Sequence, residues 1–277
     1  MMPLEPTNND IVSVIIPTYN SAKNLPLCIR SIKRQKYQHK EILVVDNYST
    51  DETQFIAENL GANLISHRGN QAAARNMGLA RSKGEYILFL DSDQQLDGDV
   101  IEDCVQKCST QKVTAVKIPE VFVGLNFWSK CSVLWKNSTV KASGPQGGVP
   151  RFYTKKTLLK NSAFNDNLRW WEDAELYQRL KSSGLKEAWC KGQLIHHEND
   201  PVQSIIRKYL FYGQSVAAFK GSSAKAPIAS TFNLTLSTMA QTIKDPGRSP
   251  NVFLGCWILF TAKAFSGALG FLSRLRN

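Results

Sequence analysis

The stretch that most constrains the fold is an apolar run at residues 86–90 that ends in Asp91-Ser92-Asp93. Five consecutive apolar or aromatic residues are typical of a strand that is buried on both faces, as in parallel sheets. Ligands of open α/β sheets bind beyond the carboxyl ends of the strands. Two carboxylates at such an end suit a hard divalent cation, which prefers oxygen ligands. In the alternative interpretation, these acids begin a turn or cap a helix near Asp99.

Strands and helices alternate through the first third of the chain. Strands are predicted over 11–16, 41–45 and 62–66, and helices over 22–36, 51–60 and 70–81. A capping box at 49–52 and the side chain of Asn70 are expected to begin the second and third helices. The alternation predicts a mainly parallel sheet with helices on both faces. The second strand also ends in an acid, Asp46, so carboxylates are expected to gather at one sheet edge.

The loop after the first predicted strand excludes the common glycine-rich nucleotide sites. It reads Pro-Thr-Tyr-Asn-Ser-Ala over residues 17–22, and neither G-x-G-x-x-G nor a Walker lysine loop occurs anywhere in the chain. A nucleotidyltransferase is one alternative function that a metal-binding α/β sheet can perform, but it would typically need such a loop. The absence of the loop argues against this function. A metal ion held by Asp91 and Asp93 could neutralise a pyrophosphate in place of such a loop.

The net charge of +11 is unevenly placed, because nine basic residues and one acid follow residue 200. Such a tail can meet nucleic acid or an anionic membrane surface. A nucleic-acid-binding protein is the second alternative function, but acids at the strand ends would repel phosphates unless a metal is bound. The six cysteines are scattered and are predicted to be free thiols. The first ten residues lack the features of a secretory signal, which favours the cytoplasm.

Two segments in the middle of the chain leave their roles open. Residues 122–140 are rich in aromatic side chains, which either pack in the core or form a wall for an apolar acceptor. Residues 193–198 predict a short strand that ends in two histidines. Neighbouring residues of a strand face opposite sides, so one histidine is expected to point into a site, and His196 is preferred over His197.

The run at 252–272 is apolar and contains a single charge, Lys263. It is long enough to span a bilayer, but a lysine near the centre costs about 2.5–3.5 kcal/mol on insertion scales. We therefore expect a helix that lies in the membrane interface, with Lys263 reaching the surface and Arg274 and Arg276 at the lipid headgroups. A helix packed in the protein core is the alternative.

Four ordered motifs resemble family 2 glycosyltransferases with the GT-A fold. They are Ser-Val-Ile-Ile-Pro-Thr-Tyr-Asn at 13–20, Val-Val-Asp-Asn-Tyr-Ser-Thr-Asp at 44–51, Ala-Arg-Asn-x-Gly at 74–78 and Asp-Ser-Asp at 91–93. The resemblance covers 11–103 and continues more loosely through 171–173 to 196–198. It implies an α/β, Rossmann-like fold with a mixed, mainly parallel sheet flanked by helices. It also implies inverting transfer of a sugar from a nucleotide-diphosphate sugar to an acceptor hydroxyl.

The resemblance also implies which residues bind the sugar donor. The nucleotide sugar would contact Pro17, Tyr19, Asn20, Asp46, Asn47, Arg75, Asp91 and Ser92. A divalent metal, Mn²⁺ or Mg²⁺, would be held by Asp91, Asp93 and His196. Many relatives carry Asp-Asp where this chain has Asp46-Asn47. A uridine diphosphate sugar is expected, with thymidine or guanosine diphosphate as alternatives, because an asparagine amide both accepts and donates hydrogen bonds.

On the acceptor side, the resemblance assigns the role of general base to Asp173. The acceptor hydroxyl must lose its proton as it attacks the anomeric carbon, and a carboxylate can take it. Trp171, Glu172, Gly147 and Gly148 would lie on the same side. The structural alternative is that an acidic pair at a helix start favours the helix dipole.

Three functional parts are predicted from these patterns. Residues 1–110 would form the nucleotide-sugar-binding half of a GT-A domain, and 111–200 the acceptor-binding and catalytic half. Residues 201–277 would form a basic, apolar helical extension that associates with membranes. The expected enzyme is metal-dependent and lies on the cytoplasmic face of the membrane, as a peripheral or monotopic protein. Its expected partners are the sugar donor, a polyprenyl-linked or surface-polysaccharide acceptor and the membrane surface, but no nucleic acid.

Overall fold

The computed structural model describes residues 11–144, 148–168, 171–218, 228–244 and 249–275. The described chain divides into two compact units. The first consists of residues 11–119, 149–167 and 172–195, and the second of the described residues in 120–148, 168–171 and 196–275. These units do not use the boundaries of the three predicted parts, which were defined by function and stay a prediction.

Ten strands and ten helices are formed by the described residues. In chain order they are β1 (Val12–Thr18), α1 (Leu25–Lys33), β2 (Lys40–Asp46), α2 (Thr53–Asn59), β3 (Asn63–Ser66), α3 (Gln71–Arg81), β4 (Tyr86–Phe89), β5 (Gln94–Asp97), α4 (Val100–Gln111), β6 (Ala115–Lys117), β7 (Glu120–Gly124), α5 (Phe127–Ser143), β8 (Phe152–Thr154), α6 (Lys155–Lys160), α7 (Glu172–Ser182), β9 (Glu187–Trp189), β10 (Gln193–Glu198), α8 (Val202–Ala218), α9 (Ile228–Lys244) and α10 (Pro250–Leu275).

The first unit contains a seven-stranded sheet with the order β3-β2-β1-β4-β8-β6-β9. Strands β1 to β4 pair in parallel, and β8 is antiparallel to both of its neighbours, β4 and β6. The predicted mixed, mainly parallel sheet is therefore confirmed. A smaller sheet has β10 next to β5 and to β7.

Both faces of the large sheet are buried, as the apolar runs predict. Val14 and Ile16 of β1 belong to the core on one face, with Ile29 of α1. Ile15 belongs to the core on the other face, with Leu79 of α3. The alternation of these neighbouring residues follows the two-residue period of a strand, and it fixes helices on both sides of β1.

Gly78 allows α3 to lie directly against β1. A Cβ atom at this position would come within 2.4 Å of Ile15 Cγ2, a distance that real side chains do not reach. The glycine of the Ala-Arg-Asn-x-Gly motif therefore has a packing role. It sets how closely the arginine of the same motif, Arg75, approaches the sheet.

One of the two predicted helix starts is confirmed. Asn70 caps α3, because its side-chain oxygen accepts a hydrogen bond from Ala73 N at 2.9 Å. The capping box at 49–52 is wrong: α2 begins at Thr53, and Glu52 makes no side-chain cap bond. The Ser49 hydroxyl accepts instead from Asn20 N at 2.8 Å and donates to Asp46 Oδ1 at 2.5 Å.

The second unit is mainly helical. The aromatic-rich segment at 122–140 contains the end of β7 and most of α5. Cys131 and Leu134 of α5 are buried against Ile205 of α8 and Leu259 of α10. Part of this segment is therefore core, as one of the two interpretations held.

Helices α8 and α10 pack backbone to backbone through glycines. A Cβ atom on Gly213 would lie 1.9 Å from the carbonyl oxygen of Gly267, and one on Gly270 would lie 2.0 Å from that of Leu210. Small residues at such contacts are typical of helices that associate in membranes, although soluble helices use them too.

The apolar C-terminal helix is present as α10. Among the described residues, Pro250–Ser273 is the helix long and apolar enough to cross a membrane, with a mean hydropathy of 1.6 and 28% of its most apolar stretch buried. Length and composition alone are weak evidence, because a buried core helix passes the same test. An exposed apolar stripe runs along the helix and consists of Leu254, Ile258, Phe265, Leu269 and Leu272.

The prediction that Lys263 reaches the surface is wrong. Its side chain is only 6% exposed, and Nζ donates to Ser132 Oγ of α5 at 3.0 Å. Lys263 lies on the side of α10 that packs inside the second unit, so it cannot extend along the exposed stripe. The side chains of Arg274 and Arg276, predicted at the headgroups, lie outside the part of the chain that the structure describes.

Candidate functional site

A buried arginine joins two acids at the carboxyl edge of the large sheet. Arg75 of α3 is 3% exposed, and its Nη2 donates to Asp91 Oδ1 at 2.9 Å. Its Nη1 donates to Glu172 Oε1 at 2.7 Å. The guanidinium also lies 5.3 Å from the ring centre of Phe164. Since Asp91 follows β4 and Glu172 begins α7, one side chain connects the predicted sugar-donor side to the predicted acceptor side.

The carboxylate of Asp91 is held from both of its oxygens. Oδ1 also accepts from Gln71 Nε2 at 2.8 Å, and Oδ2 accepts from Arg151 Nη1 at 3.1 Å. Arg151 immediately precedes β8, and its backbone oxygen accepts from Phe89 N at 2.9 Å. The carboxylate thus lies between two guanidinium groups that fix its orientation.

Residues 91–94 form a tight turn, as the structural interpretation of Asp91 and Asp93 predicts, and their metal-binding role stays a prediction. Gln94 N donates to Asp91 O at 3.0 Å, and Asp91 N donates to Gln94 Oε1 at the same distance. Ser92 Oγ lies 3.0 Å from Ser21 Oγ, which follows β1. Burial, and then the charges of Asp93 and Asp91, raise the pKa of the Cys28 thiol beneath this turn.

The protein side chains alone do not form a metal cage. Across the described ranges, no group of three or more His, Cys, Asp or Glu side chains is placed to hold an ion. Magnesium sites of nucleotide enzymes commonly use one or two carboxylates and complete the shell with water and substrate phosphates. The half-buried Asp91 and Asp93 fit that kind of site, in which the ion arrives with the diphosphate.

His196 lies in the second unit and contacts two carboxylates. Its Nδ1 is 2.7 Å from Glu120 Oε1, and its Nε2 is 3.8 Å from Glu198 Oε1. The ring stacks on Phe122, with 4.9 Å between ring centres. Burial alone would raise the pKa of Glu198, but Lys136, together with His196 and Lys208, lowers it overall. A metal-ligand role for His196 stays a prediction.

Asp46 is completely buried and supports the loops at the sheet edge. Its carboxylate accepts from Thr18 Oγ1 at 3.0 Å and from Gln54 Nε2 at 2.7 Å. It also accepts from the backbone nitrogen and the hydroxyl of Ser49, at 2.8 and 2.5 Å. These four bonds connect the end of β2 to the end of β1, to the loop before α2 and to α2 itself. The predicted contact of Asp46 with a base stays a prediction.

The two asparagines of the predicted nucleotide site connect neighbouring loops. Asn20 has a left-handed backbone, with φ of 49°, and its Oδ1 accepts from Thr50 N at 2.8 Å. Asn47 Oδ1 accepts from Gly69 N at 3.2 Å. The loops after β1, β2 and β3 are therefore joined by side chains of the first two motifs.

Aromatic surface is exposed at the same edge. Tyr19 is 60% exposed, and Tyr48, with φ of 55°, is also exposed. The guanidinium of Arg68 lies 5.2 Å from the ring centre of Tyr48. Pro17 is half-buried beside them in the sequence. Exposed rings of this kind can stack against a nucleotide base.

The acidic pair at the start of α7 is divided between two environments. Glu172 is buried against Arg75, and burial raises the pKa of its carboxyl, an effect that Arg75 opposes and Asp173 reinforces. Asp173 is half-buried, and its Oδ1 lies 2.7 Å from Ala174 N, which donates to it. One acid of the pair therefore holds the structure, while the other remains accessible.

The remaining acceptor-side residues are described in part. Trp171, immediately before α7, has a left-handed backbone with φ of 63°. Gly148 has φ of 71°, a conformation that favours glycine, and Gly147 lies outside the described residues. The loop before α7 is supported by Asn76 of α3, which donates to Phe164 O at 2.9 Å and accepts from Phe164 N at 3.1 Å.

Sequence reasoning did not single out Arg151, Gln71, Tyr48 or Arg68. The position of Arg151 depends on the antiparallel pairing of β8 with β4, which residue patterns do not reveal. Tyr48 stands in the second motif, and an aromatic residue directly after a strand that ends in Asp46-Asn47 was a usable signal. The sequence contains no comparable signal for Gln71 or Arg68.

Comparisons with known proteins identify the family and the fold of the chain. The family model described as "Glycosyl transferase family 2" matches residues 13–168. The glycosyltransferase GlyG of Streptococcus pneumoniae serotype 4 is 33% identical over 115 residues, which cover 39% of this chain and 38% of that protein. The match thus spans well under half of that curated relative.

Two solved structures share the fold at 18% identity. The mannosyltransferase PcManGT from Pyrobaculum calidifontis, in complex with GDP-Man and Mn²⁺, has a TM-score of 0.61 and covers 99% of this chain and 90% of its own. Residues 1–349 of Staphylococcus aureus TarS, in complex with UDP-GlcNAc, have a TM-score of 0.56 and cover 94% of this chain and 83% of their own. These likenesses confirm the GT-A fold. Because the family model spans more than half of the sequence, including β1 to β4 and the Asp-Ser-Asp turn, the chain belongs to glycosyl transferase family 2.

Proposed function

We propose that the protein is an inverting glycosyltransferase, which moves a sugar from a nucleotide-diphosphate sugar to an acceptor hydroxyl. The observation that carries this proposal is the bridge made by Arg75. It holds Asp91, on the predicted sugar-donor side, and Glu172, beside the predicted base, at 2.9 and 2.7 Å. A single buried cation thus sets the position of both halves of the reaction centre.

Asp173 acts as the general base. It is the accessible acid of the pair, and a carboxylate that is aimed at a hydroxyl can remove its proton during attack. Glu172, whose carboxylate is bound to Arg75, orients the start of α7 rather than reacting. No second acid is needed for the leaving group, because the nucleotide diphosphate departs as an anion, unlike the leaving group of a glycoside hydrolase.

A divalent ion, Mn²⁺ or Mg²⁺, would be held by Asp93 and Asp91 together with diphosphate oxygens, with His196 as a further predicted ligand. When bound, the ion supplies charge neutralisation for the departing diphosphate. Arg75, Gln71 and Arg151 orient the Asp91 carboxylate for that role. The Mn²⁺ in the mannosyltransferase that shares this fold supports the proposal.

The sugar donor is proposed to be a uridine diphosphate sugar, with thymidine or guanosine diphosphate as alternatives. Tyr19 and Tyr48 offer exposed rings to the base, and Pro17, Asn20, Asn47 and Ser92 lie in the loops around it. The side-chain oxygen of Asn47 accepts a hydrogen bond from Gly69 N. Its amide N–H groups can therefore donate to the carbonyl groups of the base. The two neighbours of known structure bind UDP-GlcNAc and GDP-Man, so the fold accepts either nucleotide.

The acceptor is proposed to be polyprenyl-linked or a surface polysaccharide, at the cytoplasmic face of a membrane. The exposed apolar stripe of α10 supports association with the interface. Because α10 also supplies buried residues to the second unit, the test changes the stripe instead of deleting the helix. Phe265→Ser with Ile258→Ser should reduce sedimentation with anionic vesicles. Phe55→Ser with Leu159→Ser in the first unit, which removes comparable exposed surface, should not.

The reaction is tested by screening nucleotide sugars for hydrolysis and transfer with Mn²⁺ or Mg²⁺ present. Asp173→Asn should retain sugar-donor binding and lose about 10²–10⁴-fold in turnover, the usual contribution of a general base. Asp99→Asn is the matched control, because it removes an exposed acid from the start of α4 whose ion-pair partner is the exposed Lys36. If both variants lose turnover equally, Asp173 stabilises the start of α7 and does not act as the general base.

The metal is tested separately. Asp93→Ala should lose transfer and weaken nucleotide binding only when Mn²⁺ or Mg²⁺ is present. Unchanged turnover in this variant, or in the wild-type protein with EDTA, would remove the metal from the proposal while leaving the Asp173 result intact.

A further inference from the structure

The second unit contains a cavity of about 400 Å³ among α5, α8 and α10. Its walls are mainly apolar and aromatic, and they include Trp135, Leu259, Phe260 and Phe271. Pockets of about 300–1,000 Å³ with apolar walls and a few polar groups are typical of small-molecule sites. The residues at the proposed reaction centre do not line this cavity, so it is a separate feature.

The cavity wall carries one buried cation, Lys263. Its ammonium group lies 3.0 Å from Ser132 Oγ and 4.9 Å from the ring centre of Tyr209. Within the described residues no carboxylate forms an ion pair with Lys263, although Glu198 contributes a weaker, longer-range attraction. Burial, and next the charge of Lys136, lower its pKa to about 8, so the ammonium form still predominates at neutral pH.

A buried charge is costly when its partners are neutral. The Ser132 hydroxyl and the Tyr209 ring compensate only a fraction of what water would provide. An anion seated in the cavity would supply the missing partner, and the ammonium and hydroxyl groups together can donate to its oxygens. The rest of the wall would exclude such an anion unless it carried an apolar body.

The cavity opens beside the apolar stripe of α10. Ala264 and Ala268 line the cavity and are themselves exposed, and they alternate along the helix with Phe265 and Leu269 of the stripe. A long-chain molecule dissolved in a membrane that contacts the stripe would therefore meet this opening directly.

From this arrangement we infer that the cavity binds a membrane lipid with one long apolar chain and a phosphate head, the phosphate contacting Lys263 and Ser132 and the chain lying against the aromatic wall. The apolar lining excludes free phosphate, and the single cation selects anionic over neutral or cationic chains. The inference does not depend on sugar transfer, because binding requires no sugar donor.

Binding of dodecyl phosphate to the full chain, measured by calorimetry below the micelle concentration, tests this inference. We expect one molecule per chain, with dodecanol and dodecyltrimethylammonium binding at least about tenfold more weakly, as loss of a charge-assisted contact predicts. Inorganic phosphate should not bind measurably. Equal affinity for the phosphate and the alcohol would overturn the inference.

Two variants locate the site. Lys263→Met keeps the side-chain length and should reduce dodecyl phosphate affinity about tenfold, to the level of dodecanol. Lys244→Met, the same change at an exposed lysine of α9, should leave the affinity unchanged. Ala268→Trp places bulk at the exposed opening and should weaken both chains. Wild-type affinity in folded Lys263→Met, checked by circular dichroism, would also overturn the inference.

Discussion

Each unit contains a buried cationic side chain, and the partners of these two side chains differ. Arg75 in the first unit is bound by two carboxylates from different elements. Lys263 in the second unit has a serine hydroxyl and an aromatic ring as its close partners. A planar guanidinium with several donors can fix two acids at once, whereas an ammonium is a point charge. From this difference we infer two roles for a buried charge. A buried charge that is paired with carboxylates fixes the positions of the elements around it, whereas one with neutral partners indicates a ligand site.

The largest effect should come from removing the compensated charge. Arg75→Met leaves Asp91 and Glu172 without their shared partner, and breaking buried ion pairs of this kind costs about 3–5 kcal/mol. We expect the free energy of unfolding, measured with urea, to fall by that amount and transfer to be lost. Arg68→Met, which removes an exposed arginine at the same edge, should cost well under about 1 kcal/mol. Equal losses would show that burial does not distinguish the two arginines.

Removing the poorly compensated charge should have the opposite sign. Lys263→Met, without lipid, should raise the free energy of unfolding by up to about 3 kcal/mol at pH 7, because a pKa of about 8 in place of 10.5 means that folding opposes the charged form. The unfolded wild-type chain binds more protons between pH 8 and 10.5. Wild-type stability should therefore rise with pH through this window relative to the variant, and the difference should vanish above it. A destabilised variant at pH 7 would break the comparison with Arg75.

The cavity around Lys263 depends on the close contact of α8 with α10. Gly213→Ala would place a Cβ 1.9 Å from a backbone oxygen, so the helices must separate, and we expect a loss of about 2 kcal/mol or more in thermal unfolding. Gly267→Ala is the matched control on the facing helix, because its nearest atom is 3.8 Å away. It should be neutral or gain up to about 1 kcal/mol from helix propensity.

The smallest effects should come from the neutral partners of the charged side chains. Ser132→Ala removes the hydroxyl bound to Lys263, and Gln71→Ala removes one of three donors to Asp91. Loss of a single hydrogen bond to a charged group costs about 1–3 kcal/mol where nothing replaces it. We therefore expect Ser132→Ala to cost more than Gln71→Ala in urea denaturation, since Asp91 keeps two arginines. The reverse order would mean that water already reaches Lys263.

The sequence predicted the parts of the fold that depend on local patterns. The buried run at 86–90 gave β4 and its acidic turn, and Asn70 gave the start of α3. Arg151 was hidden because its place depends on the pairing of β8 with β4, which are separated by about sixty residues and obey no local rule. The orientation of the Lys263 side chain could not be predicted from the sequence for another reason. The apolar run around it is nearly continuous, so it contains no period that tells the inner side of the helix from the outer.

All six cysteines are free and buried, four in the first unit and two, Cys131 and Cys256, in the second. A thiol reagent can modify such residues only after the surrounding structure opens. Modification of these cysteines therefore reports local unfolding of the unit in which each one lies. Mass spectrometry of the modified peptides after a short pulse of reagent would time the opening of each unit separately. Repeating the pulse with a nucleotide sugar or a lipid phosphate would reveal which unit each molecule holds closed.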